Sequence, residues 1–97
     1  MKSKKILDET IGDFRIILEV IERDPVFHDY GLPRQSWVRG VKFMKHFGSD
    51  RALQLVDERA ERAADRGDYE TARRWRTLIT AMHAVQENER LFGEGLH

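Results

Sequence analysis

The chain has 97 residues, 40% hydrophobic and 35% charged, with a formal net charge of zero and no cysteine. That length makes one domain with a modest core. The missing thiol excludes a disulfide framework, a cysteine nucleophile and a zinc finger. The longest apolar run, Ile16-Ile17-Leu18, falls far short of the roughly 20 residues of a membrane span, and Asp8, Glu9 and Asp13 stand where a signal peptide needs its apolar stretch. The expected compartment is the cytoplasm, with no membrane partner.

The zero total conceals two blocks. Residues 8–30 carry seven acids against Arg15 and Arg23, a balance of −5, and residues 33–51 carry five bases against Asp50, a balance of +4. A dedicated nucleic-acid binder usually has a basic excess overall. Here the two blocks can satisfy each other, within one chain or between two copies.

The first helix is expected over Lys4 to Arg23, ending before Asp24-Pro25 because the residue preceding proline disfavours the helical region. Leu7, Ile11, Phe14, Leu18 and Ile21 alternate at spacings of four and three, the pattern of a helix-packing seam, and Ile6 and Ile17 widen it. Ile16 and Val20 fall on the opposite side, among Glu9, Asp13 and Arg23. Each aliphatic side chain stabilises by about 1.5–3 kcal/mol when fully buried, so both call for a cover. Either the loop from Pro25 to Pro33 folds over them, or a second copy of the helix does so in a homodimer.

Val26 to Leu32 is too aromatic for a free linker and is expected to pack on the body as an ordered loop, with a hydrogen bond for His28. The second helix starts at Pro33 or Arg34, where proline suits a first turn, and ends before Gly48. Its apolar face holds Trp37, Val41, Met44 and, less squarely, Phe47; Arg39, Lys42 and His46, joined by Lys45, form a basic ridge. Gly48-Ser49 reads as a helix stop followed by an N-cap, opening a third helix over Asp50 to Arg66 with Ala52, Leu53, Val56, Ala60, Ala63 and Ala64 inward. Gly67-Asp68 is the clearest punctuation, a C-cap glycine and an N-cap aspartate, and forces an antiparallel hairpin. The fourth helix runs from Tyr69 to Arg90 with Ala72, Trp75, Leu78, Ile79, Met82 and Val85 along one face, and residues 91–97 are read as a fraying tail. The whole is an all-α domain of four helices, with residues 1–47 packed on a hairpin over 48–90.

Phe47-Gly48, Arg59-Ala60, Gly67-Asp68, Trp75, Leu78, Ala81-Met82 and Val85 together resemble a group of short bacterial proteins that share an aromatic-Gly, Arg-Ala, Gly-Asp, Trp and aliphatic pattern. The resemblance covers about Phe47 to Gln86 and implies a helical hairpin; the group carries no established activity and lends no site residues. Gly67-Asp68-Tyr69 with Ala72 is also similar to the turn of a tetratricopeptide repeat, but that architecture needs about three stacked units and one is present.

The constellations for chemistry are thin. His83 and Glu87 share a helix face, yet a metal site needs three or four convergent ligands, so the reading is a solvated pair. Carboxylates sit beside arginines at helical spacing, as in Glu58 with Arg62 and Glu70 with Arg74. Neither a nucleophile elbow nor a phosphate-cradling loop is visible, so neither enzyme activity nor a cofactor is expected. What remains is surplus apolar surface, with Ile16, Val20, Phe43 and Leu55 all off-stripe, and surplus apolar surface marks interfaces. The expected function is a non-catalytic protein–protein interaction module, an adaptor, assembly factor or regulatory subunit that self-associates. Its contact surface is expected at Ile16 and Val20, with Phe27 and Tyr30 in the aromatic loop. The alternative is a small nucleic-acid-binding regulator using Arg39, Lys42, Lys45 and His46.

Overall fold

The computed structural model describes residues 14–95. Among them run six helices and no strand: α1 Phe14–Arg23, α2 Pro25–His28, α3 Arg34–Phe47, α4 Ser49–Asp65, α5 Tyr69–Glu87 and α6 Glu89–Gly95. The domain is all-α, as the helical periodicity predicts; α3 packs on the α4–α5 hairpin, and α1 reaches the body through α3 and the short helices α2 and α6.

The hairpin has the most extensive helix–helix contact among the described residues, and its turn shows why. Gly67 sits at φ +80°, a conformation that costs glycine nothing. Its N–H donates to the Ala64 carbonyl at 2.9 Å and the Asp68 N–H to the Ala63 carbonyl at 2.9 Å. That bond pair satisfies the last carbonyls of α4. Asp68 then caps α5, its side chain accepting from the Thr71 N–H at 3.2 Å. Hydrogen bonding from Thr71, its side chain first and this N–H second, with Arg66 and Arg74 nearby, holds the Asp68 carboxyl below the usual aspartate range. Ala52, Val56, Ala60 and Ala63 of α4 are buried against Ala72, Leu78 and Met82 of α5, so small side chains bring the two helices close.

Helix α3 packs across both hairpin helices. Trp37, Gly40, Val41 and Met44 are its buried face. A Cβ placed on Gly40 would meet Met82 Cγ at 3.2 Å and Ala81 Cβ at 3.5 Å, so glycine sets the spacing between α3 and α5.

Helix α1 packs on α2, α3 and α6 at once, which changes the face it buries. Ile17, Val20 and Ile21 are all in the core at 5% exposure or less, whereas Leu18 is half-buried. The inward set is therefore the i, i+3, i+4 group beginning at Ile17, rotated from the expected seam through Leu18. Val20, expected off-stripe, is a core residue of its own protomer. Residues 4–13 of the expected first helix lie outside the described residues.

Three further expectations need correction. The Val26–Leu32 segment is more than a loop: Asp24 caps a one-turn helix, accepting from the Val26 N–H at 3.0 Å, with Pro25 in its first turn. Ser49 is not an N-cap; Gly48, at φ +84°, takes that position and Ser49 is the first residue of α4, buried. Residues 89–95 form a further helix where a fraying tail is expected, and residues 96–97 lie outside the described residues. Asn88 interrupts the helix, its Nδ2 donating to the Ala84 carbonyl at 2.8 Å, and α6 restarts so that Phe92 is completely buried.

Candidate interaction surface

Two aromatic clusters occupy different parts of the domain. In the first, Phe27 meets the ring of Trp37 edge-on at 5.5 Å and that of Phe92 at 5.7 Å, and Tyr30 meets Trp37 edge-on at 6.0 Å. Phe27, Trp37 and Phe92 are buried, so this cluster joins α2, α3 and α6 as core. Phe27 therefore presents no side chain to a partner, and neither does Val20. Ile16 is half-buried. Tyr30 is exposed and its hydroxyl donates to Glu87 Oε1 at 3.4 Å, so Glu87, which shares a helix face with His83, meets a tyrosine. The structure does not assemble Ile16, Val20, Phe27 and Tyr30 into one open surface.

The second cluster is open. Phe43 stacks on Phe47 at 5.9 Å and meets Trp75 edge-on at 6.0 Å, and the Arg59 guanidinium lies over the Trp75 ring at 5.5 Å. Phe47 is 41% exposed, and Phe43 and Trp75 are half-buried. The His46 ring stands edge-on to Phe47 at 4.6 Å.

Three hollows follow one another along this flank of α3. One of about 420 Å³, between the first turns of α3 and the middle of α5, is lined by Pro33, Gln35, Ser36, Arg39, Arg74, Thr77 and Leu78. The next shares Arg39, Arg74 and Leu78 with it and adds Thr71 and Trp75. The third holds Lys42, Phe43, His46 and Phe47. The second and third are joined through the Phe43–Trp75 contact. Together they span the length of α3, about 20 Å at 1.5 Å per residue. No carboxylate lines any of them, while Arg39, Arg74, Lys42 and His46 all do.

Of the basic ridge, the structure brings Arg39, Lys42 and His46 onto this flank and leaves Lys45 off it. Lys45 follows Lys42 by three residues but lies about 60° further from Phe43 on the helix, and only one residue, or about 100°, separates it from His46. Arg34 also faces away, forming an ion pair with Glu22 of α1. That pair is the one link between the acidic and basic blocks among the described residues; no carboxylate among them pairs with Arg39, Lys42 or Lys45. Glu70 pairs with Arg74 at 3.2 Å as its spacing predicts, with both side chains more than 70% exposed.

A fourth hollow, of about 230 Å³, lies between α1, the connector and α3, walled by Leu18, Ile21, Leu32 and Trp37, with His28, Glu22 and Arg34 also lining it. His28 Nε2 donates to the Glu22 carbonyl at 2.6 Å, the loop hydrogen bond expected for it. Among the described residues no three His, Cys, Asp or Glu side chains gather in a way that could hold a metal ion, and no helix is long and apolar enough to cross a membrane.

The aromatic part of this surface was written in the chain as Lys42-Phe43 and His46-Phe47, a basic–aromatic pair repeated one turn on. Sequence reasoning assigned the bases to one ridge and the rings to separate faces, and so missed that they interleave. Arg59, Arg74 and Ser36 come from other turns or helices, and no local spacing announces them.

A comparison with known protein families, curated proteins and solved structures finds no match to this chain.

Proposed function

We propose that this chain is a non-catalytic, cytoplasmic protein-interaction module that associates with a second copy of itself through the α3–α5 flank. The observation that carries this reading is the row of three hollows lined by cations and aromatic rings with no carboxylate among them. Exposed apolar surface bordered by charge favours a protein partner.

The chain supplies its own complement. Its basic block lies mainly on α3 and the acidic block of −5 lies just before it. Among the described residues of one protomer, only Arg34 and Glu22 bridge the two. Glu19 and Asp29 are exposed and, among the described residues, form no ion pair. Two copies related by a two-fold axis can each offer acids to the other's flank, the self-complementary arrangement of most homodimers. Phe47 and Phe43 then lose water on contact, and the charges fix register and encounter rate more than affinity.

Light scattering tests this. At low salt the mass should lie near twice 11.4 kDa, should fall toward one protomer as salt screens the charges, and should be that of a single protomer in the Lys42→Glu, Phe47→Ser variant. A wild-type chain monomeric at every salt concentration contradicts the reading.

The interleaving of Lys42, Phe43, His46 and Phe47 also favours a second reading, single-stranded nucleic acid, which binds in basic grooves with stacking platforms. Against it, the Trp75 ring is covered by Arg59 and abutted by Phe43, so among these three rings Phe47 is the most open face. A mobility shift that weakens linearly in log salt would move the assignment to nucleic acid.

A further inference from the structure

We propose that the hollow between the N-terminal half of α3 and the middle of α5 binds a phosphate monoester, held by the guanidiniums of Arg39 and Arg74 and the hydroxyl of Ser36. This goes beyond self-association and stands whether or not the chain dimerises, because it concerns the opposite end of the flank from Phe47.

The site is built from two helices. Arg39 comes from the second turn of α3, Arg74 from the second turn of α5, and both line the same two adjoining hollows. Such a fold brings two positive charges to one concavity and supplies no carboxylate in its lining. Arg39 has no ion-pair partner among the described residues, and Arg74 meets Glu70 through one nitrogen, at 3.2 Å and in solvent. An exposed pair of that kind contributes little, and a guanidinium has five N–H donors, so most of the Arg74 fork remains available. Ser36 is half-buried in the wall, and its hydroxyl has no partner among the described residues. Thr77 is different: its hydroxyl already donates to the Arg73 carbonyl at 2.9 Å, so it lines the wall without donating inward.

Charge count and geometry select the ligand class. A carboxylate offers one charge and two oxygens, which one guanidinium satisfies. A phosphate monoester carries about −1.5 to −2 at neutral pH with three acceptor oxygens, which matches two arginines and a hydroxyl. Planar guanidiniums suit bidentate phosphate contacts. At about 420 Å³ the hollow exceeds a bare phosphate ion and has room for the group that carries it. A phosphorylated serine or threonine side chain fits this description, as does a small phosphate ester. Nucleic-acid backbone does not, since its diesters bear a single charge each.

Amide and arginine-side-chain NMR resonances of the full chain, titrated with O-phosphoserine, glutamate, inorganic phosphate and oligothymidylate, test this. O-phosphoserine should perturb Arg39, Arg74 and Ser36 and bind at least ten-fold more tightly than glutamate. Inorganic phosphate should perturb the same resonances more weakly. Arg39→Gln with Arg74→Gln should weaken O-phosphoserine at least ten-fold at an unchanged melting temperature, whereas Lys45→Gln should leave it unaltered. The monomeric Lys42→Glu, Phe47→Ser variant should still bind, which separates this site from the dimer contact. Equal affinity for glutamate and O-phosphoserine, no perturbation at Arg39 and Arg74, unchanged binding in the double arginine variant, or tighter binding of oligothymidylate would each overturn the proposal.

Discussion

The sealed cluster of Phe27, Trp37 and Phe92 and the open cluster of Phe43, Phe47 and Trp75 use the same kind of side chain for opposite ends. In the first, Phe27 and Phe92 are 1% and 0% exposed, and the rings fasten α2 and α6 to α3. In the second, Phe47 is 41% exposed, its neighbours are His46 and Lys42, and an arginine lies over the adjacent Trp75. Aromatic content alone says nothing about role. What separates the clusters is whether charged groups or further apolar groups surround the rings.

Substitutions sharpen that contrast. Phe27→Ala should be the most damaging, costing about 3–5 kcal/mol through lost burial and a residual cavity. That is a large part of the 5–15 kcal/mol typical of a domain, and chemical denaturation would read it as a displaced midpoint with the chain's self-association lost only through unfolding. Gly40→Val comes next. Its side chain must enter a space where Met82 Cγ already stands 3.2 Å from the first added carbon, so overpacking should cost roughly 1–3 kcal/mol, measured in the same way. Phe47→Ser should cost about 1 kcal/mol or less, because the ring is already partly in water, yet it should weaken dimerisation strongly in sedimentation velocity. A Phe47 variant that unfolds the chain, or a Phe27 variant that leaves stability intact, would erase the distinction between the clusters.

The smallest effect concerns the hairpin turn. Asp68→Ala removes the cap on α5 and should lower the melting temperature by a few degrees. Asp68 has a lowered pKa in the folded state, through its bonds to Thr71 first and the nearby Arg66 and Arg74 after. Its stabilising contribution is therefore complete above the unfolded carboxyl pKa and disappears as pH falls through the lowered folded value. The melting temperatures of wild type and Asp68→Asn should diverge least at the acid end of a pH series.

How much of this the sequence discloses depends on how local the cause is. The α4–α5 hairpin was legible because glycine at a positive φ and aspartate at an N-cap act within four residues. The ends of α3 were legible for the same reason, with Pro33 before it and Gly48 after it. Ser49 misled because serine is a good cap in general, while here Gly48 takes the cap geometry and leaves Ser49 buried as the first helical residue. Asp24-Pro25 signals a stop, but an acceptor followed by proline starts a helix as well as ending one.

The rest is tertiary. Val20 reads as surplus only if α1 contacts one neighbour; it is buried because α2, α3 and α6 surround that helix. Phe92 stands just before Gly93 and Gly95, glycines that argue for fraying, yet the helix breaks at Asn88 and restarts with that ring buried. The open flank is half-legible: its bases and rings are visible in the chain, but their convergence with Arg74, Arg59 and Ser36 depends on how α3 crosses the hairpin.

Cross-saturation NMR on a mixture of deuterated and protonated copies would examine the flank most directly, since only residues touching the other protomer respond. Signal loss should concentrate at Lys42, Phe43, His46, Phe47 and Trp75. Signal loss centred instead on Ile16 and Tyr30, or none anywhere under conditions where the chain is dimeric by mass, would contradict the assignment of the open aromatic flank as the contact surface.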